Sequence, residues 1–412
     1  MADNLIPRDF STIYYVFILF IIVMFLFYIT SIISIQNNNL TYINKLINIA
    51  EETENPLTFG ELINCNNGEF YMKNIKVNNN DISYNFKLKD YYIKTAYNAC
   101  CTGRFKNDYV DLKALDNCDK NGIRALDFEI YSLNDEPIIG ASSNNDYYYK
   151  ETYNHVTLSD AMDKVNNVFI NDDNSQYSDY PLFLFFRINY GGNNLNSNNN
   201  NGNEDYDNKL KNFYNSIHDI IRDSFGDNYK KFYSIQNPMI QGGDDANQFN
   251  IFDYDNKSNM ISSINIQDTR NKIFLFVTTN ENNHDLLKDT QMSKITDIII
   301  DNSLMNSYRY NDLEGSDALL VSNNNKQSLS ICLPSLSSSS RNYNPTRPLT
   351  LGIQFIAMNY QNRDDNLVKY NSLFELNGCN ADGASNTVPL LKKPNKYIEI
   401  PSSLFRYFQE QE

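Results

Sequence analysis

The sequence predicts an α/β protein, a barrel or doubly wound parallel sheet standing behind one membrane-spanning helix. Three observations carry that prediction. The first is a long uncharged, apolar run near the amino terminus. The second is a set of short, wholly apolar segments, which read as strands buried on both faces. The third is that amphipathic stretches separate those segments, giving the strand–helix alternation of a parallel sheet. The chain has 412 residues, 41% of them hydrophobic and 13% aromatic. That is enough apolar material for a sizeable core, and it argues against a disordered chain.

No charged residue occurs between residues 10 and 44, and residues 13–35 are aliphatic or aromatic apart from Thr30, Ser31 and Ser34. About 20 apolar residues cross a hydrocarbon core, so a helix within residues 1–36 is long enough to span. A cleaved signal peptide would want a shorter apolar run, a basic start and a small-residue cleavage site. Here Asp3 and Asp9 flank Arg8 instead. The expectation is a single-pass membrane protein held through this helix. Arg8 on one side and Lys45 on the other leave its orientation open.

Acidic residues exceed basic ones by 50 to 35, for a net charge of −15. A phosphate-binding surface needs the opposite balance, so no nucleic-acid partner is expected. Asparagine makes up about one residue in six, far above ordinary usage. Its runs fall where loops are expected, as an AT-rich coding sequence would leave them. None of the six cysteines has metal-ligand spacing, and they read as structural thiols.

Residues 37–84 form a polar, Asn-rich stem in which residues 42–50 are the one plausible helix. Beyond it, residues 91–95 and 123–131 read as strands, residues 109–120 and 157–169 as helices. Residues 181–186 form a buried strand, 206–225 a helix and 272–277 another buried strand. Later strands are expected at 329–333 and 352–358. The polar tract 189–207 follows a strand, where barrel loops carry insertions.

Particular residues then resemble a known family. Tyr91-Tyr92-Ile93-Lys94-Thr95-Ala96-Tyr97-Asn98 is similar to the opening of the phosphoinositide-specific phospholipase C catalytic barrel, where a strand ends in S-H-N-T-Y. Gly122 to Glu129 resembles its G-x-R-x-x-E-x-D strand, and Asn134-Asp135-Glu136-Pro137 the hairpin that follows. The second half matches more sharply, in Asn342-Tyr343-Asn344-Pro345, in the run from Gly352 to Gln361, in Asn377-Gly378 and in Leu391-Lys392-Lys393-Pro394. The resemblance implies a phospholipase C-like TIM barrel, with one half over residues 85–280, the other over 281–400 and a tail over 401–412.

The same resemblance implies where chemistry would sit. Such an enzyme cleaves a phosphodiester with two histidines and a calcium ion, because imidazole titrates near working pH and calcium offsets phosphate charge. The two histidine positions fall at Tyr97 and Ala141. Asn98 keeps the identity of a calcium ligand, and Asp127 and Glu129 keep carboxylates with their lengths exchanged. The last ligand falls at Arg187, whose charge would repel calcium. Headgroup-gripping positions fall at about Phe276, Thr278, Ile331 and Leu333. Asn98, Asp127, Glu129 and Arg187 therefore read as a vestigial site. There Arg187, or Arg124 with it, pairs the carboxylates in place of a metal. His155, His218 and His284 match no motif.

No cofactor is expected, and calcium only if the chain is a divergent phosphodiesterase. The expected function is a membrane-anchored, catalytically inactive barrel serving as a structural or binding protein with protein partners in a membrane or virion assembly. The Asn-rich composition suits a large DNA virus or an AT-rich protist. The full chain is expected to stay with membranes through alkaline carbonate extraction, and a chain lacking residues 1–36 to be soluble. Recovery of the full chain in the supernatant would count against a spanning segment.

Overall fold

The computed structural model describes residues 8–59, 61, 71–72, 75–76, 87–144, 149–171, 175–191, 204–236, 261–279, 284–300, 305–377 and 385–392. The rest of the expected stem, most of the 189–207 tract, Cys65, Cys379 and the tail over 401–412 lie outside these residues. Among the described residues, eight parallel strands form the barrel: β1 (Tyr91–Ala96), β2 (Ala125–Leu133), β3 (Leu182–Asn189), β4 (Ile273–Thr278), β5 (Ile298–Ile299), β6 (Met305–Arg309), β7 (Leu329–Leu333) and β8 (Phe355–Met358). Their spatial order is β6-β7-β8-β1-β2-β3-β4-β5. The first strand therefore lies beside the last, as Phe355 pairs with Ile93. Only the seam between β5 and β6 lacks pairing among the described residues. This is a nearly closed (β/α) barrel.

The apolar segments form strands because both of their faces are buried. In β3, Phe183 and Phe185 point inward and Leu184 and Phe186 outward, and all four are buried. Inside, phenylalanines close the barrel. Phe183 stacks on Phe274 at 5.0 Å, and Phe355 meets Phe183 at 5.2 Å and Phe185 at 4.9 Å, edge to face. The interior is thus a packed floor rather than a pore. Two strands were not apparent from the sequence. β5 is two residues long, and β6 reads Met-Asn-Ser-Tyr-Arg, too polar to stand out as a buried run.

The helices begin where the chain offers caps. Thr157 accepts the amide of Asp160 at 3.0 Å and starts α3 (Leu158–Val165). α4 (Glu204–Phe225) opens on three acidic residues and buries Leu210, Phe213, Tyr214, Ile217 and Ile221 along one stripe. The helix expected from residue 109 starts later, as α2 (Lys113–Lys120). The backbone of Val110 is taken by the Asn154 side chain, which accepts its amide at 2.9 Å. After β2, Asn134 and Asp135 adopt φ of 52° and 65°. These are the values a two-residue hairpin turn needs, and Asn and Asp tolerate them.

The amino-terminal helix differs most from expectation. α1 runs unbroken over Arg8–Thr53, so residues 37–53 continue the helix rather than begin a separate stem. The reason is in the spacing of Ile43, Leu46, Ile47 and Ala50, which recur on one face and are buried. The outer half of α1 is apolar and exposed, and its mean hydropathy of 3.0 meets the requirement of a membrane span. Leu46→Ala should cost about 2–5 kcal/mol if this face belongs to the barrel's own core. Thermal unfolding of the detergent-solubilised chain should then shift down by several degrees, whereas an independent stem would leave it unmoved.

Candidate functional site

The site grows from the carboxyl ends of β1, β2 and β3. Register places Glu129 of β2 opposite Arg187 of β3, and Arg187 opposite Thr278 of β4. Two residues deeper, Asp127 stands beside Phe185 on the same inward face. Asn98 lies just past β1 with φ of 44°, a left-handed conformation that asparagine tolerates, and its carbonyl accepts the amide of Cys101 at 2.8 Å.

Arg187 joins these residues. Its Nε donates to Asp127 Oδ1 at 2.8 Å, and its Nη2 to Asp127 Oδ2 at 2.9 Å and Asn98 Oδ1 at 2.6 Å. Its Nη1 lies 3.4 Å from Glu129 Oε1. The remaining carboxylate valences are also taken. Asp127 Oδ2 accepts the amide of Asn98 at 3.0 Å, and Glu129 Oε1 accepts the Tyr131 hydroxyl at 2.8 Å. Glu129 Oε2 accepts from Asn98 Nδ2 and from the amide of Ser142, both at 3.3 Å. The carboxylates are buried and Arg187 is nearly so. Burial works to lower the Arg187 pKa, but Asp127 and Glu129 outweigh it and push it well above its ordinary value.

Tyr97 covers this cluster. Its ring lies 4.7 Å from the Arg187 guanidinium and 5.9 Å from that of Arg309, both within cation–π range. Its hydroxyl accepts from Arg309 Nη1 at 3.2 Å, and burial raises its pKa above the ordinary phenol value, so it stays protonated near neutrality. Ala141 is fully buried where the hairpin strand Glu136–Gly140 ends, next to Ser142. Phe276 belongs to the aromatic floor, and Ile331 and Leu333 are buried on β7. Arg124 departs from expectation: it does not pair with Asp127. It points out of the barrel, where Pro181, Phe169 and Tyr180 carbonyls accept its N–H groups at 2.9–3.2 Å. Inward positions on β2 are 125, 127 and 129, so position 124 faces the helices by strand alternation.

The mouth keeps a cavity of about 180 Å³ beside the cluster, lined by Arg187, Asn189, Thr278, Ser307, Arg309 and Leu333 among others. Ser307 and Arg309 were missed from the sequence because their strand was. No histidine lines it among the described residues. His155 is exposed, and His218 is on α4, its Nε2 2.8 Å from the Tyr229 hydroxyl. The side chain of His284 lies outside the described residues. Each carboxylate oxygen already faces a protein donor, and a guanidinium occupies the place between them. This donor set does not fit calcium, and no cluster suited to a metal occurs among the described residues. The four described cysteines are buried free thiols distant in character from ligands, burial pushing Cys332 up to about 12.

Residues 272–381 match the family described as phosphatidylinositol-specific phospholipase C, Y domain, a span that takes in β4 to β8. In three dimensions the chain is similar to L. pealei PLC21, with a TM-score of 0.52 and 16% identity over 77% of this chain and 38% of that one. S. officinalis PLC21 matches with the same values. The chain thus spans well under half the length of these two phospholipases. No curated protein matches the sequence. The fold is the phospholipase C-like barrel. The cluster around Arg187 lies outside the Y-domain match, whereas Ser307 and Arg309 lie within it.

Removing one partner of a buried ion pair costs about 3–5 kcal/mol, so Arg187→Ala should lower the melting temperature by several degrees. Arg187→Glu should be worse in chelator and partly rescued by calcium, because three clustered carboxylates repel until a divalent ion binds. Thermal melts of both variants check this, and an Arg187→Ala protein that melts like the parent sinks the ion-pair account.

Proposed function

We propose that this chain is a membrane-anchored phospholipase C-like barrel without catalysis, serving as a structural or binding protein in a membrane or virion assembly. The observation that carries the reading is Arg187 held between Asp127, Glu129 and Asn98 under the Tyr97 ring. Phosphodiester cleavage needs a group that takes and returns a proton near neutral pH. Tyr97 is a raised phenol, Ala141 has no proton to move, and the neighbouring carboxylates are engaged by fixed donors. The cavity beside Arg309 and Ser307 supports a binding role, since it combines apolar surface with the polar side chains of Arg187, Asn189, Ser307 and Arg309 and is large enough for a small group. The acidic net charge of −15 speaks against a nucleic-acid partner.

The alternative, a divergent phosphoric diester hydrolase acting on a phosphodiester lipid, draws on the Y-domain match. The two readings separate in one assay. The full chain in mixed lipid–detergent micelles should release no inositol phosphate from phosphatidylinositol or its bisphosphate, with calcium or with chelator. Turnover well above that of a Tyr97→Ala protein would overturn the inactive reading and leave the hydrolase.

A further inference from the structure

A second cavity, of about 200 Å³, lies outside the barrel, in the cleft between α1 and the helices beside it. Leu46, Ile49 and Ala50 of α1 line one wall, and Leu367 and Val368 of the helix Asp365–Ser372 line another. The direction of α1 follows from its contacts. Asn39 Nδ2 donates to Asp108 Oδ1 at 2.5 Å in the loop after β1, at the mouth. Glu54, just past the end of α1, meets Lys94 of β1 and Tyr177, which precedes β3 at the base. The helix Asp365–Ser372 likewise returns from the carboxyl end of β8 toward the base. Both helices run from mouth to base, so the cavity is drawn out along them.

The two ends of this cavity carry opposite charges. At the base end stands Glu54, whose side chain is 12% exposed. Its partners among the described residues both stand off, Lys94 Nζ at 3.6 Å and the Tyr177 hydroxyl at 3.3 Å. Lys94 makes its closer bond, at 2.9 Å, to the carbonyl of Asn121. A carboxylate accepts about four hydrogen bonds, so Glu54 keeps accepting capacity on a nearly buried group. At the mouth end is Arg363, exposed in the loop after β8, with no carboxylate in salt-bridge reach among the described residues. The polar groups between them are bonded to one another. The Tyr360 hydroxyl donates to Asn371 Oδ1 at 2.8 Å, and Asn117 Nδ2 to the Tyr360 carbonyl at 3.0 Å. What remains between the charged ends is aliphatic. Leu46 and Glu54 are eight residues apart, about 12 Å along a helix.

We propose that this cleft binds an ω-amino carboxylate, its ammonium on Glu54, its methylenes between Leu46, Ile49 and Val368, and its carboxylate on Arg363. Five methylenes hold the two charges about 7–8 Å apart, and a contact of about 3 Å at each end completes the span. A ligand so held ties α1 to the helix Asp365–Ser372 and stabilises the docked half of α1. The same chemistry is presented by a free small molecule and by the carboxyl-terminal lysine of a peptide. The site stands apart from the barrel mouth and does not depend on whether the mouth is catalytic. The probe is 6-aminohexanoate, titrated calorimetrically into the full chain in detergent micelles. It should raise the melting temperature and bind about fivefold or more tightly than 6-aminohexanamide or 6-hydroxyhexanoate, which each lack one charge. Arg363→Gln should weaken 6-aminohexanoate about fivefold and leave 6-aminohexanamide unchanged. Val368→Trp, which fills the cavity, should remove binding of both. Arg363 and Val368 are exposed, and unliganded melts matching the parent show that both variants fold. Equal binding by 6-aminohexanamide, an Arg363→Gln protein that binds like the parent, or no binding by about 10 mM overturns the site. A peptide ending in a free lysine carboxylate that binds where its amide does not supports a protein partner. Binding of 6-aminohexanoate with exclusion of that peptide supports a free molecule.

Discussion

Arg187 couples the carboxyl ends of three adjacent strands, because its guanidinium reaches Asn98 after β1 and Asp127 and Glu129 on β2 from its own place on β3. The surroundings make that pairing obligatory. Below lies a floor of phenylalanine and above lies Tyr97, so two carboxylates on one strand face have little water to solvate them. In such a medium charges attract and repel over longer range than in water, and an unmatched carboxylate is costly. A divalent ion and a guanidinium are two solutions to the same electrostatic problem. The guanidinium is covalently present, and its planar fork meets the syn edge of Asp127 with two N–H groups. It therefore fixes the mouth in one geometry without any ligand.

The loop that follows β1 links this cluster to the long apolar helix α1. Asn98 lies at its start, and Asp108, ten residues on, receives Asn39 of α1. Asp108 also accepts the amides of Arg104 at 2.8 Å and Tyr109 at 2.9 Å, so the loop is wound around one carboxylate. Gly103 packs against this pair: a Cβ would fall 2.3 Å from Asp108 Oδ2 and 2.7 Å from Asn39 Nδ2, so any side chain at position 103 would push apart the bond between helix and loop.

Much of the fold was legible because burial on both faces leaves a plain mark. Residues 182–186, 273–277 and 355–358 are apolar throughout, residues 329–333 are apolar but for the buried Ser330, and each is a barrel strand. β6 was illegible for the opposite reason. Its inward residues Ser307 and Arg309 face a polar mouth, so its pattern carries no hydrophobic signal, and Arg309 was lost with it. The continuity of α1 was obscured by Asn37, Asn38 and Asn39, which read as a linker. In the fold Asn39 serves a specific partner, Asp108, and the helix passes through because Ile43, Leu46 and Ile47 beyond it have a surface to bury against. Of the site, Tyr97, Asn98, Asp127, Glu129 and Arg187 are brought together. Arg124, offered as a further partner of the carboxylates, lies on the opposite face, because strand alternation turns position 124 away from 127 and 129.

These features order themselves by what each depends on. The phenylalanine floor excludes water, which makes the two carboxylates of β2 depend on a fixed cation. Arg187 supplies it and in doing so holds Asn98, the second residue of the loop after β1. That loop presents Asp108 to α1, and α1 is helical past residue 36 because the barrel offers it an apolar surface and Lys94 and Lys120 as partners for Glu54 and Glu51. A flexible stem would leave the apolar half of α1 free to swing about the barrel. A continuous helix tied to the barrel through Asn39, Glu51 and the adjoining Glu54 removes that freedom, so the angle between the apolar helix and the mouth is a property of the fold rather than of a linker. The charge arrangement inside the barrel and the attitude of the barrel outside it thus meet in one segment, residues 97–112.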